Sequence, residues 1–350
     1  MPKREPFKLG TFEVEAGTRK TVDLPVSVLS DHTPVTLSVH VVHGRLPGPT
    51  VFVSAAVHGD EVIGVEIVRR LLNSKKLSGL RGTLLAIPIV NSFGFMNHSR
   101  YLPDRRDLNR SFPGSPQGSL AARLAHIFLE EIIKKSDFGI DLHSAAVNRA
   151  NLPQARVSHK SEKAKELAQA FGAPVTLLSP LREGSMRQIA DSLETPMVLY
   201  EAGEGLRFDE HAAKMGVTGI LRVMSHLGML SAKSVKQPRV KPLLSSSSYW
   251  ERAPAGGVMR TFKGNGEIVQ EGTVLGIISD PFGEKEVELK AAYPGLIIGR
   301  TNLPVVNEGD GLFHIAKIKR SDESAEAALG HLQTQVEVEA EAMFDEDEII

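Results

Sequence analysis

The sequence predicts an α/β protein: a three-layer αβα arrangement around a mixed, mostly parallel sheet, with a small C-terminal all-β domain. Two observations carry this expectation. Between Val51 and Leu227, apolar runs of strand length alternate with segments whose apolar residues recur at helical spacing. After Tyr249 the texture changes to short β-like runs broken repeatedly by glycine, from Gly256-Gly257 to Gly309 and Gly311.

In chain order, Val35, Leu37, Val39 and Val41 alternate with Thr36, Ser38 and His40, the pattern of a half-buried strand, and 44–49 is turn chemistry. Residues 51–57 form a nearly continuous apolar run that stops at His58-Gly59, as a central strand covered on both faces would. Val62, Val65, Ile67, Val68, Leu71 and Leu72 read as a helix over 62–72. A buried strand at 83–90, a long polar segment at 94–116, a helix at 119–135 and a strand at 138–142 ending at His143 come next. Helices at 161–171, 186–193 and 209–227 alternate with strands at 175–178 and 197–200. Residues 231–248, with Lys, Pro and the run Ser245 to Ser248 but no periodic apolar face, read as a linker or irregular crossover. The expected domains are therefore 1–240 and a β-rich module at 241–320. The stretch 321–350 lacks Lys and Arg while Asp and Glu accumulate, which predicts a solvated, disordered acidic tail.

The 350 residues are 41% hydrophobic and 24% charged, enough apolar material for a sizeable core. Lys+Arg 41 against Asp+Glu 42 leaves a net charge of -1, so nothing in the overall charge favours nucleic acid. With no cysteine, a disulfide, a thiolate ligand and a cysteine nucleophile are all excluded, and any metal must be held by His, Asp or Glu. The N-terminus has no apolar signal region, and no run approaches the roughly 20 apolar residues of a membrane span. The expectation is a cytoplasmic protein without a membrane partner; a homo-oligomer is compatible with the sequence.

Chemistry-bearing residues gather where strands end. His58 and Glu61 follow one predicted central strand and His143 another, so three ligands would converge from two strand ends and leave the fourth tetrahedral position of a catalytic metal open. Asp60 is an alternative to Glu61. Asp141, two residues before His143 on an extended chain, shares its face and would orient the imidazole. Asn109-Arg110 lies in a polar loop, where the guanidinium fork and the neighbouring amide suit a carboxylate. Arg105 and Arg106 read as solvated loop charges, whereas Arg100 would reach a carbonyl and steady its developing oxyanion. Glu201, at the end of the strand 197–200, is the expected general base, with Glu204 as its rival.

Four motifs in order, His58-Gly59-Asp60-Glu61, Asp107-Leu108-Asn109-Arg110-Ser111-Phe112-Pro113-Gly114, Asp141-Leu142-His143 and Glu201-Ala202-Gly203, resemble the zinc-dependent succinylglutamate desuccinylase/aspartoacylase group, which is similar to metallocarboxypeptidases. The resemblance runs to about Lys319. It implies a zinc carboxypeptidase-like catalytic domain with one Zn2+ per chain on His58, Glu61 and His143. It further implies a carboxylate grip by Asn109 and Arg110, Glu201 as general acid/base and Arg100 as the carbonyl-polarising group, with Arg105 or Arg106 still open for that role. Gly184-Ser185-Met186-Arg187 is similar to a family segment near the pocket, which makes Arg187 a substrate-binding candidate.

The glycine-rich C-terminal part looks like the barrel-sandwich-like module appended in this group, and would wall the mouth of the site. Lys290 lacks the Met-Lys context of a biotin carrier. The implied activity is hydrolysis of an N-acyl amino acid or related small amine by zinc-activated water, on a carboxylate-bearing small-molecule substrate. A metallocarboxypeptidase and a non-catalytic carboxylate-binding protein are the alternatives.

Overall fold

A computed structural model describes residues 4–238 and 241–318. The acidic stretch 321–350 lies outside the described residues.

The chain opens with a two-stranded ribbon, β1 (Phe7–Leu9) and β2 (Phe12–Val14), followed by two long antiparallel strands, β3 (Thr18–Val28) and β4 (Pro34–His43). In β4, Val35, Leu37, Val39 and Val41 are buried and the residues between them are not, the alternation expected of a half-covered strand. The α/β part then runs β5 (Leu46–Ala55), α1 (Ile63–Asn73), β6 (Arg81–Ile87), α2 (Ser92–Met96), α3 (Leu120–Glu131), β7 (Phe138–His143), β8 (Arg149–Val157), α4 (Glu162–Phe171), β9 (Val175–Leu178), α5 (Met186–Ser192), β10 (Met197–Gly203) and α6 (Glu210–His226). Side-chain oxygens of Ser119, Ser161, Ser185 and Asp209 accept from the first turns of α3, α4, α5 and α6, which fixes where those helices start.

At the centre of the sheet β10, β7, β5 and β6 lie side by side and parallel, while β4 and β3 continue it antiparallel beyond β6. One face carries α1, α4 and α6 over Val53, Ile140, Val198 and Tyr200; the other carries α3 and α5 over Phe52, Leu85 and Met197. The chain leaves β5 toward β6 on one side and later returns to place β7 on the other. A crevice therefore opens at the carboxyl ends of β5 and β7, where ligands collect in open α/β sheets.

The C-terminal part consists of β11 (Leu243–Ser245), β12 (Ser248–Arg252), β13 (Gly257–Thr261), β14 (Ile268–Val269), β15 (Val274–Ser279), β16 (Glu286–Lys290), β17 (Gly295–Thr301), β18 (Val305–Val306) and β19 (Gly311–Lys317). Strands β16, β15, β13 and β18 form a separate antiparallel sheet. The rest extend the main one. The outer edge of β8 is shared: Gln154 to Val157 pair with β9, and Arg149 to Asn151 pair with β17, which carries β19 and then β12.

Two readings of the sequence are corrected here. The presumed linker 231–248 contains β11, parallel to β9, and its last serines line the crevice. Strand β8 was not anticipated, because Asn151, Pro153, Gln154 and Arg156 break its apolar pattern.

Candidate functional site

Strand register brings the chemistry together. Ser54 on β5 pairs with Asp141 on β7, and His143 on β7 pairs with Glu201 on β10. The three carboxyl ends are neighbours, and the loop after β5 adds His58 and Glu61. His58, Glu61 and His143 are all buried, with ligand atoms within 4.8 Å of one another. Asp60, the alternative ligand, is not part of this cluster.

The cluster has the internal order of a metal site. Nδ1 of His58 and Nδ1 of His143 each lie 2.7 Å from an oxygen of Glu61, so both faces that could ligate turn inward on one carboxylate. The opposite ring nitrogens also meet carboxylates: Nε2 of His143 is 2.7 Å from Asp141, and Nε2 of His58 is 3.2 Å from Asp107. Ser54 in turn donates to Asp141 at 2.7 Å. An imidazole that donates its outer N–H to a carboxylate has its inner nitrogen fixed as a lone-pair donor, the arrangement that supports metal-bound histidine. Two nitrogens and a carboxylate, without sulfur, suit zinc.

Electrostatics follow from this packing. Burial disfavours the Glu61 anion, but His58 and His143 outweigh it and hold the carboxyl well below the usual range. Burial likewise opposes the charged form of both imidazoles, yet Asp141 and Glu61 raise His143 well above its usual value, and Glu61 and Asp107 raise His58.

Gly59, between two cluster residues, has no room for a side chain. A Cβ there would stand 1.9 Å from the Gly94 carbonyl carbon and 2.1 Å from Phe95 N, both backbone atoms. Gly59→Ala is therefore expected to push the loop out of place and to cost about 1–3 kcal/mol of stability, as overpacking does. Urea unfolding tests this; an unchanged midpoint would contradict it.

A cleft of about 690 Å3 opens over the cluster, and Arg100, Asn109, Arg110, Asp141, Arg187 and Glu201 line it besides the three cluster residues, whereas the alternative ligand Asp60 does not. Arg100 Nη1 is 3.3 Å from Glu61, and the same guanidinium donates to Asp107. Arg105 and Arg106 do not line the cleft; Arg106 is largely exposed beside Asp104. Asn109 is held by Met186 N donating to its Oδ1 at 2.9 Å, so the segment 184–187 braces the Asn109-Arg110 pair. Arg187 donates to Ser179 Oγ and Pro180 O, and burial pushes its guanidinium down to about 10. Glu204 lies outside the lining, where Asn148 N and Asn302 Nδ2 donate to it.

The sequence did not point to Asp107 as a support for His58, nor to Asn151 and Arg156 beside Glu201. It expected the C-terminal part to wall the mouth of the site but did not name the residues that line it there: Ser246 to Ser248, Trp250 and His314. The His314 ring stacks on Trp250 at 4.8 Å and 3°, and burial pushes it down to about 3, so it is a neutral group there.

Residues 47–227 match the family described as the Succinylglutamate desuccinylase/Aspartoacylase catalytic domain. The N-alpha-acetyl-L-2,4-diaminobutyric acid deacetylase of Halomonas elongata is 26% identical over 326 residues, covering 89% of this chain and 94% of that protein. A crystal structure of a succinylglutamate desuccinylase from Silicibacter sp. TM1040 is 25% identical with a TM-score of 0.76, covering 86% of this chain and 95% of the other. At 23% identity, the product-bound ectoine utilization protein of Ruegeria pomeroyi has the same fold, with a TM-score of 0.76 over 86% of this chain and 95% of its own.

Proposed function

The chain belongs to the succinylglutamate desuccinylase/aspartoacylase family, and from that premise we propose that it is a zinc-dependent amidohydrolase that removes the acyl group from an N-acyl amino acid or related small amine. The observation that carries the reading is that Glu201 stands in register beside His143, so a carboxylate base and a three-ligand cluster open on one arginine-lined cleft.

His58, Glu61 and His143 would hold the zinc. Bound there, the ion supplies Lewis acidity that polarises the amide carbonyl and acidifies water. The Glu201 carboxylate takes a proton from the attacking water as the new C–O bond forms, and returns it to the departing nitrogen as the C–N bond breaks. Arg100, beside Glu61, offers its guanidinium to the carbonyl oxygen as charge develops on it. Asn109 and Arg110 anchor a substrate carboxylate, with Arg187 as a further cation along the same cleft. Trp250, His314 and the serines at 246–248 close one side, which suits a small substrate better than an extended peptide and favours a deacylase over a carboxypeptidase.

Zinc-loaded protein should release free amine from at least one N-acyl amino acid. N-acetyl-L-2,4-diaminobutyrate, from the Halomonas relative's name, and N-succinylglutamate, from the family's, are the first two to try. No turnover on such a panel, with cleavage of C-terminal residues from short peptides, would favour the carboxypeptidase instead.

Metal loading should also depend on pH. Ligating imidazoles must be neutral, and the carboxylates around them raise both above the ordinary 6.5, so protons compete with zinc starting above that pH. The apparent zinc affinity is therefore expected to fall as pH drops through neutrality, measured against a competing chromogenic chelator. A constant affinity between pH about 8 and about 6 would contradict the linkage.

A further inference from the structure

Glu201 does not stand alone in the cleft. Strand β8 runs antiparallel along the outer side of β10, with Leu199 opposite Arg156 and Gly203 opposite Asn151, so these two side chains flank the carboxylate. Asn151 Nδ2 donates to Glu201 Oε1 at 2.9 Å. Arg156 Nε lies 2.7 Å from Oε2, but its N–H is not aimed at that oxygen, so the contact is one of charge rather than an aligned hydrogen bond. The two oxygens are therefore inequivalent. Oε1 is committed to the amide, while Oε2 is held by attraction and keeps a lone pair free.

Asn151 is itself fixed from the C-terminal part. Its registered partner on β17 is Gly299, where a Cβ would stand 2.4 Å from Asn151 Oδ1. The missing side chain at Gly299 leaves the space in which the Asn151 carbonyl sits, with its nitrogen turned to Glu201. A glutamate at a strand end has three rotatable side-chain bonds, and a base displaced by about 1 Å loses on the order of 100-fold in rate.

We propose that Asn151 and Arg156 are positioning residues for Glu201, anchoring Oε1 and restraining the carboxylate so that Oε2 is the atom that takes the proton. The inference rests on the reading of Glu201 as general base. It makes the β17–β8 junction part of the catalytic apparatus, since that junction sets the side chain that sets the base.

The test compares Arg156→Met and Asn151→Ala in wild type and in Glu201→Gln, on zinc-loaded full-length protein, with zinc content and melting temperature recorded. Each single variant is expected to lose about 10- to 100-fold in kcat, the usual cost of removing a supporting hydrogen-bonding or charged group, with KM changed less than about twofold. In the Glu201→Gln background neither is expected to lower the residual rate further, because residues that act as a unit are not additive. A rise in KM with kcat intact, or losses that multiply with Glu201→Gln, would overturn the proposal and make Arg156 a substrate ligand. Where Arg156→Met does not hold its fold, Asn151→Ala carries the same comparison. Full activity in Glu201→Gln alone is a different result: it removes the general-base reading itself.

Discussion

Glu201→Gln is expected to lower kcat by about 100- to 10,000-fold while zinc content stays at the wild-type level, the usual worth of a positioned general base. Glutamine keeps the shape of the side chain and an oxygen for Asn151 Nδ2, but it cannot accept a proton. The metal should be indifferent, because Glu201 is not in the His58–Glu61–His143 cluster. Steady-state kinetics with metal analysis of the same preparation separates the two effects. Retained turnover would contradict the assignment, and Glu204 would not easily replace it, since its carboxylate is occupied by Asn148 N and Asn302 Nδ2 away from the cleft.

The second large effect is expected from His143→Ala. The substitution takes one candidate ligand from the cluster and removes the imidazole between Glu61 and Asp141. Glu61 then keeps only His58 and Arg100 as cationic neighbours, and the buried Asp141 keeps the Ser54 hydroxyl but loses its cationic partner. Removing one partner of a buried charged pair costs about 3–5 kcal/mol, so the variant should unfold at a markedly lower urea concentration. Zinc should be lost on gel filtration and turnover should fall to background. A variant that kept stoichiometric zinc and wild-type stability would show that His143 is not a ligand.

The central α/β elements and four of the motifs were legible in the sequence because strand ends are readable: a buried apolar run that stops at a polar residue gives both an element and the place where its loop begins. His58, His143 and Glu201 all sit at such stops, and each lines the cleft. Arg100 was preferred over Arg105 and Arg106 with the choice still open, since all three lie in one polar loop and only the folding of that loop carries Arg100 alone to Glu61. Asp107 was visible in a motif but had no role, because its contact with His58 spans 49 positions along the chain. Strand β8 was hidden for a physical reason. One face of it meets the cleft, so Asn151 and Arg156 stand where a strand pattern calls for apolar residues. The joining of β17, β19 and β12 onto the main sheet was equally invisible, being a pairing between Asn151 and Gly299 at the far ends of two regions of different texture. Trp250 and His314 reach the site only through that pairing.

The most direct test of the account is the metal content and turnover of protein purified without added zinc, before and after chelation. The account predicts about one equivalent of zinc per chain, loss of N-acyl amino acid hydrolysis when it is stripped, and recovery on adding zinc back. Less than about a tenth of an equivalent of any transition metal, with no turnover restored by zinc, would contradict it.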